Sequence, residues 1–140
     1  KTHHKKIAFT NGTFDILHLG HVQYLQKAKQ LADVLIVGVN TDRSVKTYKN
    51  PDRPINPQAD RIQVLAALAC VDYAILFEEP TPLNLILKIK PNVLVKGADW
   101  KKSQIAGAKE VESWGGKVKL ISLVPGRSTT HVIKKIEKAS

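Results

Sequence analysis

From residue 6 onward, short apolar β-rich runs alternate with longer amphipathic ones, and this alternation constrains the fold more than any other feature of the chain. KIAFT (6–10), VLIVGVN (34–40), YAILF (73–77), VLVK (93–96) and KVKLI (117–121) read as five strands. The second is apolar at nearly every position, as a strand covered on both faces must be. Helical spacing fills the intervals. Residues 19–32 put Val22, Leu25, Ala28 and Leu31 or Ala32 on one face. Asn56 then Pro57 caps a helix to about residue 69, Thr81 then Pro82 opens another to residue 90, and residues 105–114 form a short one closed by Gly115 and Gly116. Ser128 caps a last helix to about residue 138. The polar stretch 41–56 reads as a long connection, and connections of that length are more often functional than mere linkage. The expected class is α/β, a doubly wound, mostly parallel five-stranded sheet in one domain over residues 1–140, with 1–5 a flexible end.

Composition narrows what such a sheet is for. With 43% apolar and 24% charged residues, disorder and low complexity are excluded. The single Cys70 reads as core and has no partner for a disulfide or a zinc cluster, which fits a reducing compartment. No apolar run approaches the ~20 residues of a membrane span. The start, KTHHKK, is too polar for the apolar core of a signal peptide, so the cytoplasm is the expected location and no membrane partner is expected. A net charge of +10 attracts polyanions, whether nucleic acid, anionic membrane or phosphorylated small molecules. A nucleic-acid-binding module is the competing class. Against it stand the two Trp, three Tyr and three Phe, too few for a stacking surface, and the absence of any RNP, KH or zinc-finger pattern. No nucleic-acid partner is expected.

In an open parallel sheet, ligands bind beyond the carboxyl ends of the strands. The segments there are NGTFDILHLGH (11–21), NTDR (40–43), GADW (97–100) and PGRSTT (125–130). HLGH is the sharpest signal. His18 and His21, three apart on a first helical turn, point to one side, and Gly20 removes a side chain that would block a ligand. A helix amino terminus adds free amides and a positive dipole end, a seat for phosphate. Imidazoles there can stabilise a phosphoryl group gaining charge, without a covalent nucleophile. The plain alternative is a capping or surface histidine pair. A zinc site lacks an evident third ligand, and no protein metal site is expected. Upstream, Gly12 lets backbone approach a ligand, Thr13 offers a hydroxyl and an amide, Phe14 reads as a packing anchor, and Asp15 as a residue that orients a histidine or caps the loop. Neither a Walker loop nor GxGxxG occurs. Ser128, Thr129 and Thr130 beside Arg127 offer a second phosphate cradle, their plain alternative being an ordinary serine cap. Arg61 is read either as part of a solvated helix face or as a functional cation, and Lys96 as pointing at phosphate or snorkelling.

GTFDILHLGH and the late RSTTHVI resemble the hallmarks of the cytidylyltransferase-like nucleotidyltransferases. The segments RPINPQADRIQVLAAL, VDYAILFEEPTP, PNVLVKGADW and IAGAKEV are similar to the heptose branch, the D-glycero-D-manno-heptose 1-phosphate adenylyltransferases, free-standing or as the second half of a bifunctional kinase and adenylyltransferase. The resemblance runs from about Ile7 to Ile136. It implies a Rossmann-like nucleotidyltransferase fold and attack of a sugar 1-phosphate oxygen on the α-phosphorus of ATP. By the same resemblance His18, His21 and Lys49 would be catalytic, and Asn11, Gly12, Thr13, Phe14, Gly20, Gly97, Asp99, Trp100, Gly126, Ser128, Thr129 and Thr130 would bind nucleotide together with the histidines. Asp15, Asn40, Asp42, Lys46, Lys49, Arg53 and Arg61 would serve the second substrate. Mg2+ is expected on the ATP phosphates, with ATP and a sugar 1-phosphate as partners and a homo-oligomer as the assembly. The alternatives are a glycerol 3-phosphate cytidylyltransferase, whose Arg-Thr pair before STT is replaced here by Leu123 and Val124, and a flavin-adenylyltransferase of the FAD synthetase type.

Overall fold

The computed structural model describes residues 5–48, 52–122 and 129–139. Its five strands are β1 (Ile7–Gly12), β2 (Val34–Asn40), β3 (Tyr73–Phe77), β4 (Val93–Gly97) and β5 (Lys117–Ile121). All adjacent pairs are parallel and the spatial order is β3-β2-β1-β4-β5. The chain therefore builds outward from β1 to β3, then returns to the other side of β1. The reversal lies between β1 and β4, where a parallel sheet opens a crevice at its carboxyl edge.

Helices α1 (Leu19–Gln30), α2 (Asp42–Tyr48), α3 (Gln58–Ala66), α4 (Leu83–Ile89), α5 (Ala108–Ser113) and α6 (Thr129–Ala139) fill the connections, with a short 3-10 turn at Lys102–Gln104. Strand alternation splits the core in two. Ala8, Leu35, Val37 and Val95 pack on one face with Leu25 and Ala28 of α1 and Leu65 of α3. Phe9, Ile36 and Leu94 pack on the other with Ile86 of α4 and Ala108 and Val111 of α5. Both faces are covered, which is why the central strands tolerate no polar alternation.

Four expectations are corrected. The 41–56 stretch is not all connection: α2 forms within it, capped by Thr41, whose Oγ1 accepts the Ser44 amide at 3.3 Å, and anchored by Val45, which is buried. Strand β1 runs past Thr10 because Asn11 and Gly12 still pair with Gly38 and Val39. Pro57, not Asn56, is the N-cap of α3, and Asn56 turns away to bond Asp15. The helix expected from residue 105 begins at Ala108, since Gly107 takes a left-handed φ of 88° and its missing side chain leaves room for Ile86.

Gly38 sits in the middle of β2, where an added Cβ would meet the Phe9 ring at 2.9 Å and the Phe77 ring at 3.3 Å. Both rings are buried and have little room to yield. Gly38→Ala is expected to cost about 1–3 kcal/mol by overpacking, read as a lower urea midpoint at unchanged m-value.

Candidate active site

The site is built outward from the carboxyl end of β1, the strand flanked by β2 and β4. Gly12 ends the strand, and a Cβ there would lie 2.9 Å from the Phe14 ring. Gly12 thus makes room for Phe14. Phe14 is buried in the core, the packing anchor foreseen, and its backbone takes φ +52°, a conformation that costs an L-residue roughly 1–2 kcal/mol. Burial of the ring holds the turn in that shape. The turn delivers His18 to the start of α1.

His18 is the N-cap residue, extended at φ −141°, and its Nδ1 accepts the Gly20 amide at 3.0 Å. A neutral imidazole that accepts through Nδ1 carries its proton on Nε2, so the ring offers a donor there. The His21 ring stacks on it with centroids 3.9 Å apart and 28° between planes, and the Phe14 ring lies 5.4 Å from His21 on another side. Nε2 of His18 and Nδ1 of His21 are both shielded from bulk water. No acidic residue lies in the first turn of α1, so that turn supplies no carboxylate to offset the positive end of its dipole.

Two polar networks hold this turn in place. Asp15 is buried, its Oδ2 accepting the Ile55 amide and its Oδ1 the Asn56 amide, each at 2.8 Å, while Asn56 Nδ2 donates to the Asp15 carbonyl at 2.7 Å. Its carboxylate therefore clamps the 55–56 turn against the β1 loop. Of the two roles expected of Asp15, capping the loop is the one these contacts show. Arg61 is the second hub, with a side chain fully removed from solvent. Its guanidinium donates to the Thr13 carbonyl at 2.7 Å, the Asn56 carbonyl at 3.0 Å and the Asp42 carboxylate at 2.8 Å. The solvated helix face proposed for Arg61 is thereby excluded, and three of its five N–H donors are bonded inside the protein. Asp42 is tied on its other side, its amide donating to Gln58.

The remaining candidates fall at the rim. Asn40 ends β2 and donates to Ser44 Oγ at 3.1 Å. Lys46 is exposed on α2 and Arg53 is half-buried beyond it. At the end of β4, Gly97 is buried while Asp99 and Trp100 are exposed. Lys96, one residue earlier, points its Nζ at Asn11 Oδ1, 3.3 Å away, and over the Trp100 ring, 4.5 Å from its centroid. Burial pushes its ammonium below the usual lysine range and the nearby Asp99 charge opposes that shift. Under α1, burial raises the Tyr24 phenol above its ordinary range while the Thr10 hydroxyl, 2.6 Å away, opposes it, so the pair is a neutral hydrogen bond. Thr129 and Thr130 begin α6. Lys49, Gly126 and Ser128 lie outside the described residues.

A parallel sheet with two imidazoles at a helix amino terminus beside its switch point is the architecture of an α/β enzyme that handles nucleotide phosphates. The family described as cytidylyltransferase-like matches residues 9–137. The chain belongs to that family, and is a nucleotidyltransferase. It is 53% identical over 139 residues to the bifunctional protein HldE of Geobacter metallireducens, covering 99% of this chain and 28% of that protein. The HldE of Campylobacter concisus is 56% identical over 135 residues, with 96% and 28% covered. The chain thus spans little more than a quarter of the curated relatives it matches. A solved lipopolysaccharide core biosynthesis protein from Thermoplasma volcanium superposes with a TM-score of 0.68 at 30% identity, covering 86% of this chain and 97% of that one. A pantoate-beta-alanine ligase from Francisella tularensis shares the fold at TM-score 0.56 and 21% identity, covering 96% and 70%. The resemblance carried by GTFDILHLGH and the heptose-type segments is borne out by these relatives. No helix among the described residues is long and apolar enough to cross a membrane.

Proposed function

We propose that the chain transfers AMP from ATP to a heptose 1-phosphate, giving ADP-heptose and pyrophosphate for lipopolysaccharide or a related glycan. The observation that carries this reading is the stacked His18–His21 pair at the start of α1, beside the β1–β4 switch point. An oxygen of the sugar phosphate attacks the α-phosphorus in line. The new P–O bond forms as the bond to the bridging oxygen of the β-phosphate breaks, and that electron pair leaves with pyrophosphate. Nε2–H of His18 and the imidazole of His21 donate to phosphate oxygens as negative charge shifts, from rings whose Nε2 and Nδ1 respectively are shielded from bulk water. Backbone amides of Thr13 and Phe14 line the triphosphate, steadied by the grip of Arg61 on the Thr13 carbonyl. Gly97, Asp99 and Trp100 face the nucleoside, and Ser128, Thr129 and Thr130 continue the phosphate seat.

Lys49, with Lys46 and Arg53, neutralises phosphate at the acceptor end. Asp15, Asp42 and Arg61 act in this scheme through the loops they hold, since both Asp15 carboxylate oxygens, Asp42 Oδ1 and three guanidinium donors bond within the protein. Mg2+ is expected to be held by the phosphate oxygens of the triphosphate. Mg2+ bound in that way supplies charge neutralisation to the triphosphate.

The heptose acceptor is supported by the likeness to HldE proteins and to the Thermoplasma lipopolysaccharide core biosynthesis protein. Initial rates with all four nucleoside triphosphates against a heptose 1-phosphate and glycerol 3-phosphate, at fixed magnesium, test it. ATP with the heptose phosphate is expected to give the highest kcat/KM. A higher value for CTP with glycerol 3-phosphate would leave the family standing and overturn the branch.

A further inference from the structure

Lys96 belongs to neither polar network that holds the β1 turn, yet it occupies the reversal point of the sheet. Phe9 pairs with Leu94 across β1 and β4, and the register carried two residues on sets Asn11 level with Lys96. Alternation then separates the two sides of the site. Thr10 turns its hydroxyl to Tyr24 of α1, on the face where α1 packs, whereas Asn11 and Lys96 share the parity of Phe9 and Leu94, on the face covered by α4 and α5. Asn40 shares that parity on β2, two residues beyond Gly38 and four beyond Ile36. The histidines, at the start of α1, lie on the opposite side of the strand ends.

In-line displacement places the attacking oxygen and the departing pyrophosphate on opposite sides of the phosphorus. If α1 and its imidazoles hold the triphosphate, the attacking group arrives from the α4–α5 side, where Lys96 stands. An ammonium has three donors. Here one meets the Asn11 carbonyl oxygen and the indole of Trp100 covers one flank, both neutral partners, and the ion pairs among the described residues do not include Lys96. Asp99 acts on it through its charge alone, opposing the burial that lowers the ammonium below the usual lysine range. We propose that Lys96, set by Asn11 and Trp100, seats the phosphate of the attacking substrate. This assignment rests on the nucleotidyl transfer proposed above and deepens it by giving the acceptor phosphate a residue on the far side of the strand ends.

The test uses Lys96→Gln and Lys96→Arg in the full chain. In steady-state assays Lys96→Gln is expected to raise KM for the heptose 1-phosphate about 10- to 100-fold, the loss of one charge-assisted hydrogen bond, with KM for ATP within about twofold. Lys96→Arg is expected to recover most of that loss. A binding arm separates this from the functional reading. In a Trp114→Phe background Trp100 is the remaining tryptophan, and its fluorescence is followed as heptose 1-phosphate is titrated in the presence of α,β-methylene-ATP. A saturable change that Lys96→Gln weakens about 10-fold or more supports the assignment even if no turnover is found, in which case the proposed reaction fails alone. Equal binding by Lys96→Gln, no saturable change in the parent, or a rise in the KM of ATP in place of that of the acceptor overturns it.

Discussion

Replacing His18 or His21 by alanine is expected to lower kcat by about 100- to 1000-fold each, the usual cost of removing one donor aimed at a charge that grows in the transition state. The two changes differ in what else they remove. His18 Nδ1 accepts the Gly20 amide, so His18→Ala also strips α1 of its cap, worth about 1 kcal/mol of stability. His21 lies inside the helix, three residues past the N-cap. His18→Asn separates the two roles: its carboxamide oxygen occupies the position of Nδ1 and keeps the cap, while the donor at Nε2 is gone. Turnover as low as in His18→Ala, with an unfolding midpoint near the parent, is the expected pair of results. Restored turnover in His18→Asn would reduce the histidine to a cap.

That pair was legible in the sequence because its geometry is local. Two residues three apart on a first helical turn meet whatever the rest of the chain does, and the observed ring stacking follows from that spacing. The strands were legible for a similar reason: burial on both faces leaves runs such as VLIVGVN with no polar position before the terminal Asn40. Helix α2 was not, since its start depends on a Thr41 hydroxyl and on a single turn around the buried Val45 rather than on an apolar stripe. The partners of Asp15 and Arg61 were not legible, for the opposite reason. They lie far along the chain, 40 and 41 residues away for the Asp15 carboxylate and 48 and 19 residues away for the Arg61 contacts with Thr13 and Asp42. Periodicity counts a charged residue as solvent-facing. Only the tertiary structure shows that three acceptors converge on one buried guanidinium.

Arg61→Met tests whether that convergence is structural or serves the substrate directly. The substitution keeps much of the aliphatic stem while removing every donor, leaving the carbonyls of Thr13 and Asn56 and the carboxylate of Asp42 without their partner. Breaking a buried ion pair from one side costs about 3–5 kcal/mol. Asp42 keeps 34% of its side chain exposed and so regains water, which puts the expected loss at the lower end, about 3 kcal/mol. For a domain of this size that is a fall in Tm of roughly 10 °C. Asp42→Asn should cost less, and the double variant should cost clearly less than the sum of the two, because the ion pair can be lost only once. The alternative, an Arg61 that binds the acceptor phosphate, gives a different pattern: Tm close to the parent, additive single variants, and a raised KM for the acceptor alone. With all three guanidinium contacts internal, the stability loss is the expected result, and any fall in kcat should follow from the released Thr13 carbonyl and the loosened turn that leads into His18.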